Sequence, residues 1–221
     1  MTAQASTIQK STITPGMFIT LEGIEGAGKS SAIPVLAAFC EAQGFRVERT
    51  REPGGGLLGE ALRSIFLNPE LALDAEAELL LLYAGRRDHW LNRIQPALAA
   101  GKIVLCDRYE DSTYAYQSGG RGFSQERIAE LAHWAGITRA PDLTFWFDVS
   151  PELGAARIRA RRPDRLEQEQ TPFFTRARAV FAQRRAAEPQ RIIRIDASAP
   201  MDQVHAALEQ ALAPRLRKHF S

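Results

Sequence analysis

The chain has 221 residues, 45% of them hydrophobic, which suits one ordinary domain with a buried core and excludes a largely disordered protein. Its 28 Lys and Arg against 26 Asp and Glu leave a formal charge of +2, which argues against a surface built to coat nucleic acid or an anionic membrane. Two cysteines, Cys40 and Cys106, make no disulfide framework, and no Cys/His pair stands at zinc spacing, so a reducing compartment, the cytoplasm, is expected.

No run approaches the ~20 consecutive apolar residues of a membrane-spanning helix. Residues 1–16, rich in Ser, Thr and Gln, have neither an apolar core nor an arginine; they read as a flexible N-terminal extension, and 17–221 as a single domain. Residues 17–21 form a short, apolar, partly β-branched run that stops at a glycine-rich turn, as a buried strand does. The stretch 28–43 predicts a helix ended by Gly44, with Pro34 expected to kink or loosen it because proline removes a backbone donor. Residues 45–50 predict a second strand. The loop Pro53-Gly54-Gly55-Gly56 follows, then helical patterning near 57–67 and a long helix over 74–100 broken only by Pro96. The runs 102–107, 143–148 and 191–196 are apolar strands that each end on an aspartate. Strands written as continuous apolar runs and separated by helices predict an α/β fold, a parallel sheet covered on both faces, with ligands beyond the carboxyl ends of the strands.

The turn after the first strand reads Gly23-Ile24-Glu25-Gly26-Ala27-Gly28-Lys29-Ser30, a complete G-x-x-x-x-G-K-[ST] in strand–loop–helix context. Its glycines let backbone N–H groups turn toward phosphate oxygens, and the helix N-terminus adds positive potential. Gly23, Glu25, Gly26, Ala27, Gly28, Lys29, Ser30 and Ser31 are therefore the candidate ATP site. Lys29 supplies a mobile cation for the β- and γ-phosphates and Ser30 a hydroxyl for Mg²⁺. Asp107 is the natural carboxylate for the metal or its waters, although a strand-end or helix-capping aspartate has the same sequence signature. The expected domain is thus of P-loop NTPase type, three α/β/α layers around a five-stranded parallel sheet. No Asn-Lys-x-Asp guanine-reading element is present. Arg157, Arg159, Arg161, Arg162 and Arg165 fall within nine residues, where with Asp164 they hold +4 against −2 for the rest of the chain. That concentration fits a small arginine-rich lid over about 157–170, with a solvated helix face as the plain alternative.

Together, Gly23–Ser30 with Glu25 inside it, Arg51-Glu52-Pro53-Gly54-Gly55, Asp107-Arg108-Tyr109, Thr113-Tyr114-Ala115-Tyr116-Gln117 and Asp164-Arg165-Leu166-Glu167-Gln168-Glu169 resemble the thymidylate kinase family, in the bacterial subclass with lid arginines. The likeness runs from about residue 17 to 212. It implies phosphoryl transfer from Mg-ATP to dTMP for dTTP synthesis, and a homodimer with no nucleic-acid or membrane partner. By the same resemblance Glu25 lies near the sugar 3′-OH and the metal-bound phosphates. Arg108 grips the dTMP phosphate with Arg63 nearby, and Glu52 belongs to the substrate site, before a Glu52–Pro53 bond that is cis in relatives. Thr113 and Gln117 face the thymine ring, and Tyr116 crowds the sugar 2′ position. Arg86 reads a thymine carbonyl. Relatives often place a stacking aromatic four residues before that arginine, but here Leu82 precedes Arg86 by four and Tyr83 precedes Arg87 by four. Either the register is offset by one or a leucine replaces the ring; Arg86 is expected at the base with Tyr83 close to it.

A phosphomonoester acceptor has a second pKa near ~6 and is largely ionised at neutral pH, so no general base is required. Catalysis is then alignment and charge neutralisation by Lys29, Mg²⁺, Arg108 and a lid arginine, with Arg161 as the catalytic choice and Arg157 and Arg159 in support. Two other readings stay open. A deoxynucleoside kinase would use Glu25 or Asp107 as base toward a neutral hydroxyl. A P-loop switch or nucleic-acid-stimulated ATPase would hydrolyse ATP without a small acceptor.

Overall fold

A computed structural model describes residues 15–159 and 164–221. Five strands form one sheet: β1 (Phe18–Glu22), β2 (Val47–Arg51), β3 (Ile103–Asp107), β4 (Leu143–Asp148) and β5 (Ile192–Asp196). Their order is β2-β3-β1-β4-β5 and every pairing is parallel. The three inner strands β3, β1 and β4 are buried almost throughout, which is why their sequences are apolar on both faces; the edge strands β2 and β5 alternate less cleanly.

Alternate residues of each inner strand feed opposite layers. Ile19, Leu21, Ile103 and Leu105 pack with Leu36 and Cys40 of α1 (Lys29–Ala42) and with Leu208, Leu212 and Leu216 of α9 (Met201–Phe220). Phe18, Val104 and Cys106 pack on the other face with Leu79 and Tyr83 of α3 (Ala75–His89), Leu98 of α4 (Gln95–Ala99) and Ile128 of α6 (Gln125–Trp134). Trp146 and Ile192 complete that face with Ala177 and Phe181 of α8 (Thr171–Ala187). Also present among the described residues are α2 (Leu57–Leu67), α5 (Glu110–Thr113), which runs on into a π-helical segment Tyr114–Gly120, and α7 (Pro151–Ile158). Because β3 and β4 flank β1 on opposite sides, the carboxyl end of β1 is the switch point where α/β sheets open a crevice.

Both proline expectations need correction. Helix α1 runs unbroken through Pro34, which sits on an exposed side of the helix beside exposed Ser30, so the carbonyl it leaves without a donor lies toward water. The long helix does not stop at Pro96. It widens just ahead, where Trp90–Ile94 form a π-helical turn and Gln95 N–H donates to the Trp90 carbonyl. Pro96 then falls in the first turn of α4, where a missing N–H matters least. Among the described residues no helix is long and apolar enough to cross a membrane.

Candidate active site

The loop from β1 to α1 is shaped by close backbone approach. Gly23 (φ 139°) and Gly26 (φ 70°) lie in the left-handed region, and a Cβ on them would stand 2.5 Å from the Phe147 carbonyl oxygen and 2.1 Å from that of Gly154. Lys29 opens α1 and folds its ammonium back onto the carbonyls of Gly23 (3.0 Å) and Ile24 (3.1 Å). Burial first, and Arg108 second, pull its pKa down to about 8. The Ser30 hydroxyl donates to Asp107 Oδ2 at 3.0 Å, while Asp107 Oδ1 is buried and has no partner among the described residues. A hydroxyl beside a carboxylate with a spare oxygen is a hard donor set that fits Mg²⁺ completed by water and phosphate. No group of three His, Cys, Asp or Glu able to cage a metal occurs among the described residues.

The strand-end turn after β3 places Arg108 over this loop. Arg108 has a left-handed backbone (φ 68°), and its guanidinium donates to the Gly23 carbonyl (2.9 Å), Ser112 Oγ (3.2 Å) and Glu25 Oε1 (2.6 Å). The Tyr116 hydroxyl donates to the other oxygen of Glu25 at 2.7 Å, and the Tyr116 ring lies 5.1 Å under the guanidinium. Both oxygens of Glu25 are thereby committed.

The far wall of the cleft belongs to α3, which turns Glu78, Leu82 and Arg86, each four residues apart, to the same opening. Arg86 is only 2% exposed. Its Nε donates to Glu52 Oε2 (2.7 Å) and its Nη2 to Thr113 Oγ1 (2.9 Å) and the Tyr109 carbonyl (3.2 Å), while Nη1 has no partner among the described residues. The second oxygen of Glu52 meets His89 Nδ1 at 3.0 Å. Burial works to raise the Glu52 carboxyl, but Arg86 and His89 outweigh it and hold it below the usual range. Glu52, expected to meet substrate, lines the cleft with one oxygen on Arg86 and the other on His89. Its bond to Pro53 is cis, and Arg63 Nη1 caps the Pro53 carbonyl at 2.8 Å.

Of the ligand residues read from sequence, Glu25, Gly26, Lys29, Ser30, Glu52, Arg63, Arg86, Asp107, Arg108, Thr113, Tyr116 and Gln117 line one cleft. Tyr83 does not. It is 2% exposed in the core beneath α3, its hydroxyl donating to the Ile128 carbonyl at 3.3 Å. One residue is 100° of helix, so the face carrying Arg86 carries Leu82, and the leucine stands where Tyr83 was expected. Arg87 is exposed and lies outside the cleft lining, whereas Arg86 belongs to it. Ser31 is exposed and lies outside the cleft lining. Of the lid residues, Arg157 donates to the Ala197 carbonyl (2.8 Å) and weakly to Gly26 (3.3 Å), and Arg159 is exposed. Arg161 lies outside the described residues.

Sequence reasoning missed Glu78. It is buried in the cleft wall, accepts from Gln117 (2.7 Å), Arg165 (2.7 Å) and Arg121 (3.2 Å), and so ties α3 to Arg165 and to the segment that carries Gln117 and Arg121. Arg165 is thus held by Glu78 and the Phe66 carbonyl (3.0 Å).

Sheet order, a phosphate-type loop and the arginine-walled cleft that opens beside it define a class, the P-loop kinases that act on small phosphorylated acceptors. The family model described as thymidylate kinase matches residues 21–208. The chain is 49% identical over 208 residues to a thymidylate kinase of Verminephrobacter eiseniae, covering 90% of this chain and 91% of the relative. It is 50% identical over 203 residues to one of Pseudomonas savastanoi pv. phaseolicola, covering 91% and 96%. The crystal structure of thymidylate kinase from Ehrlichia chaffeensis matches with a TM-score of 0.72 at 36% identity, covering 90% of this chain and 99% of that one. The chain belongs to the thymidylate kinase family.

Proposed function

We propose that the protein transfers the γ-phosphoryl group of Mg-ATP to dTMP, yielding dTDP and ADP on the way to dTTP. The observation that carries this reading is the buried Arg86, which with Thr113 lines the same cleft as the P-loop and whose Nη1 has no partner among the described residues. A donor held that rigidly suits a carbonyl on a planar base, with Gln117 beside it.

The P-loop N–H groups from Gly23 to Ser31, including Ala27 and Gly28, cradle the donor phosphates, and Lys29 leaves the carbonyls of Gly23 and Ile24 for phosphate oxygens. Ser30, and Asp107 directly or through water, would hold Mg²⁺, which would supply charge neutralisation at the donor phosphates. Arg108 binds the acceptor phosphate, with Arg63 on the opposite lip. Glu25 orients Arg108 and lies near the sugar 3′-OH, and Tyr116 limits room at the 2′ position. Glu52 holds Arg86. Leu82 forms an aliphatic base wall where relatives often stack a ring. Arg157 and Arg159 approach the donor side and Arg161 closes over the transferring group. Since the acceptor phosphate is already largely an anion at neutral pH, no general base is required, and Glu25 serves to hold Arg108 and Tyr116. Residues 17–221 act as one domain, to which Gly16 is tied by its N–H donating to the Leu98 carbonyl (2.8 Å), with a lid at 157–170, in a cytoplasmic homodimer that binds no nucleic acid or membrane.

Coupled ADP release with Mg-ATP and dTMP, dUMP, dCMP, AMP, GMP or thymidine tests the reading. Turnover is expected to be strongest with dTMP and absent with thymidine. If no acceptor raises ADP release above background, the kinase reading fails.

A further inference from the structure

Glu22 is the last residue of β1, directly before the P-loop, and has no solvent exposure. It does not line the cleft, and phosphoryl transfer as described does not use it. Its carboxylate nevertheless meets two groups of the acceptor side. Oε1 accepts the Tyr109 backbone N–H at 2.8 Å, and Oε2 accepts the Ser112 hydroxyl. Ser112 has one hydroxyl proton; with that proton on Glu22, its lone pairs are left to accept from Arg108 Nη1 at 3.2 Å. The residue between these contacts is the strained one. Arg108 holds a left-handed backbone that residues with a Cβ avoid, and β1 fixes it from both sides, through the Leu21 carbonyl accepting Arg108 N–H (3.0 Å) and Glu22 accepting the next N–H. Burial first, and the Asp111 carboxylate second, push the Glu22 carboxyl up to about 7, while the Ser112 and Tyr109 hydrogen bonds and Arg108 favour its charged form; Asp111 itself is paired with Arg184 and Arg191.

We infer that Glu22 is a positioning residue for acceptor binding: it locks the Arg108–Tyr109 turn and orients the Ser112 hydroxyl so that the guanidinium of Arg108 presents to the acceptor phosphate. The inference rests on the assignment of Arg108 to that phosphate.

In Glu22→Gln the amide oxygen still accepts Tyr109 N–H, but its NH₂ now donates toward Ser112 and reverses that hydrogen bond. The KM for dTMP should rise about tenfold, the effect of weakening one hydrogen bond to a charged group, while the KM for ATP and the melting temperature change little. Ser112→Ala should shift the dTMP KM in the same direction, and the double variant should be no worse than Glu22→Gln, because both act on one link. If Glu22→Gln does not fold, the KM split of Ser112→Ala decides alone. A dTMP KM within about twofold of wild type, an equal rise in both Michaelis constants, or loss of kcat alone overturns the inference. Wild type is assayed beside the variants; if it does not phosphorylate dTMP, the proposed function fails first, and separately.

Discussion

The two walls of the cleft are made differently. The P-loop wall is backbone: glycines in conformations closed to other residues, N–H groups at a helix start, and one lysine resting on nearby carbonyls five and six residues back in the chain. The acceptor wall is side chain, an array of ion pairs in which Arg86 meets Glu52, Arg108 meets Glu25, and Glu78 meets Arg165 across separations of 34 to 87 residues. A backbone site tolerates changes around it as long as its glycines survive. A side-chain site depends on every partner, since removing one charge of a buried pair strands the other.

Substitutions can break or sharpen that contrast. The largest effect is expected for Lys29→Ala, where no neighbouring side chain replaces the ammonium; kcat should fall by about 10²–10³-fold in single-turnover measurements, with the fold intact by circular dichroism. Next comes the frame behind the acceptor wall. Asp111 is buried among Arg191, Arg184 and Thr144. Asp111→Asn should lower the urea unfolding free energy by about 3 kcal/mol, because two arginines are left facing a neutral amide. Burial works to raise the Asp111 carboxyl, but Arg191 and Arg184 outweigh it and hold it below the ordinary value. Its stabilisation is therefore present above the unfolded carboxyl pKa of about 3.9 and is lost as pH falls through the folded value. The variant should show a flatter acid limb of stability than wild type between about pH 5 and 3.

Arg108→Ala acts on the acceptor wall alone. It should raise the KM for dTMP by about 10–100-fold and leave that for ATP nearly unchanged; an unaltered dTMP KM would remove Arg108 from the phosphate. The smallest effect separates two adjacent residues of α3. Tyr83→Phe loses only a core hydrogen bond and should cost about 1 kcal/mol of stability with no change in dTMP kinetics, whereas Leu82→Ala should raise the dTMP KM several-fold. A kinetic effect confined to Tyr83 would put the ring back at the base.

The same contrast explains what could be read before the fold was known. Residues 23–30 announce themselves because a phosphate-wrapping turn needs its glycines, lysine and serine at fixed neighbouring positions. The inner strands are legible because burial on both faces leaves continuous apolar runs. Glu78 was invisible for the opposite reason: in Ala75-Glu76-Ala77-Glu78 it looks like one more charge on a solvated helix, and only the 114–121 segment and Arg165, distant in sequence, bring Gln117 and the two arginines to it. Glu22, in a run that reads as a strand followed by a glycine turn, has its partners 87 and 90 residues away. Leu82 and Tyr83 differ by a helix phase that depends on how α3 lies against the sheet, which spacing alone leaves open.

By itself the sequence determined a parallel α/β sheet, a P-loop between its first strand and helix, and the motifs that mark the thymidylate kinase family, since each follows from local backbone chemistry or two-sided burial. The tertiary structure decided which face of α3 meets the cleft, that Glu52 serves Arg86, and that buried carboxylates at 22, 78 and 111 hold the acceptor side together. Those are contacts between distant segments, and a charge in a sequence gains a partner only when the packing of sheet and helices brings one within hydrogen-bonding reach.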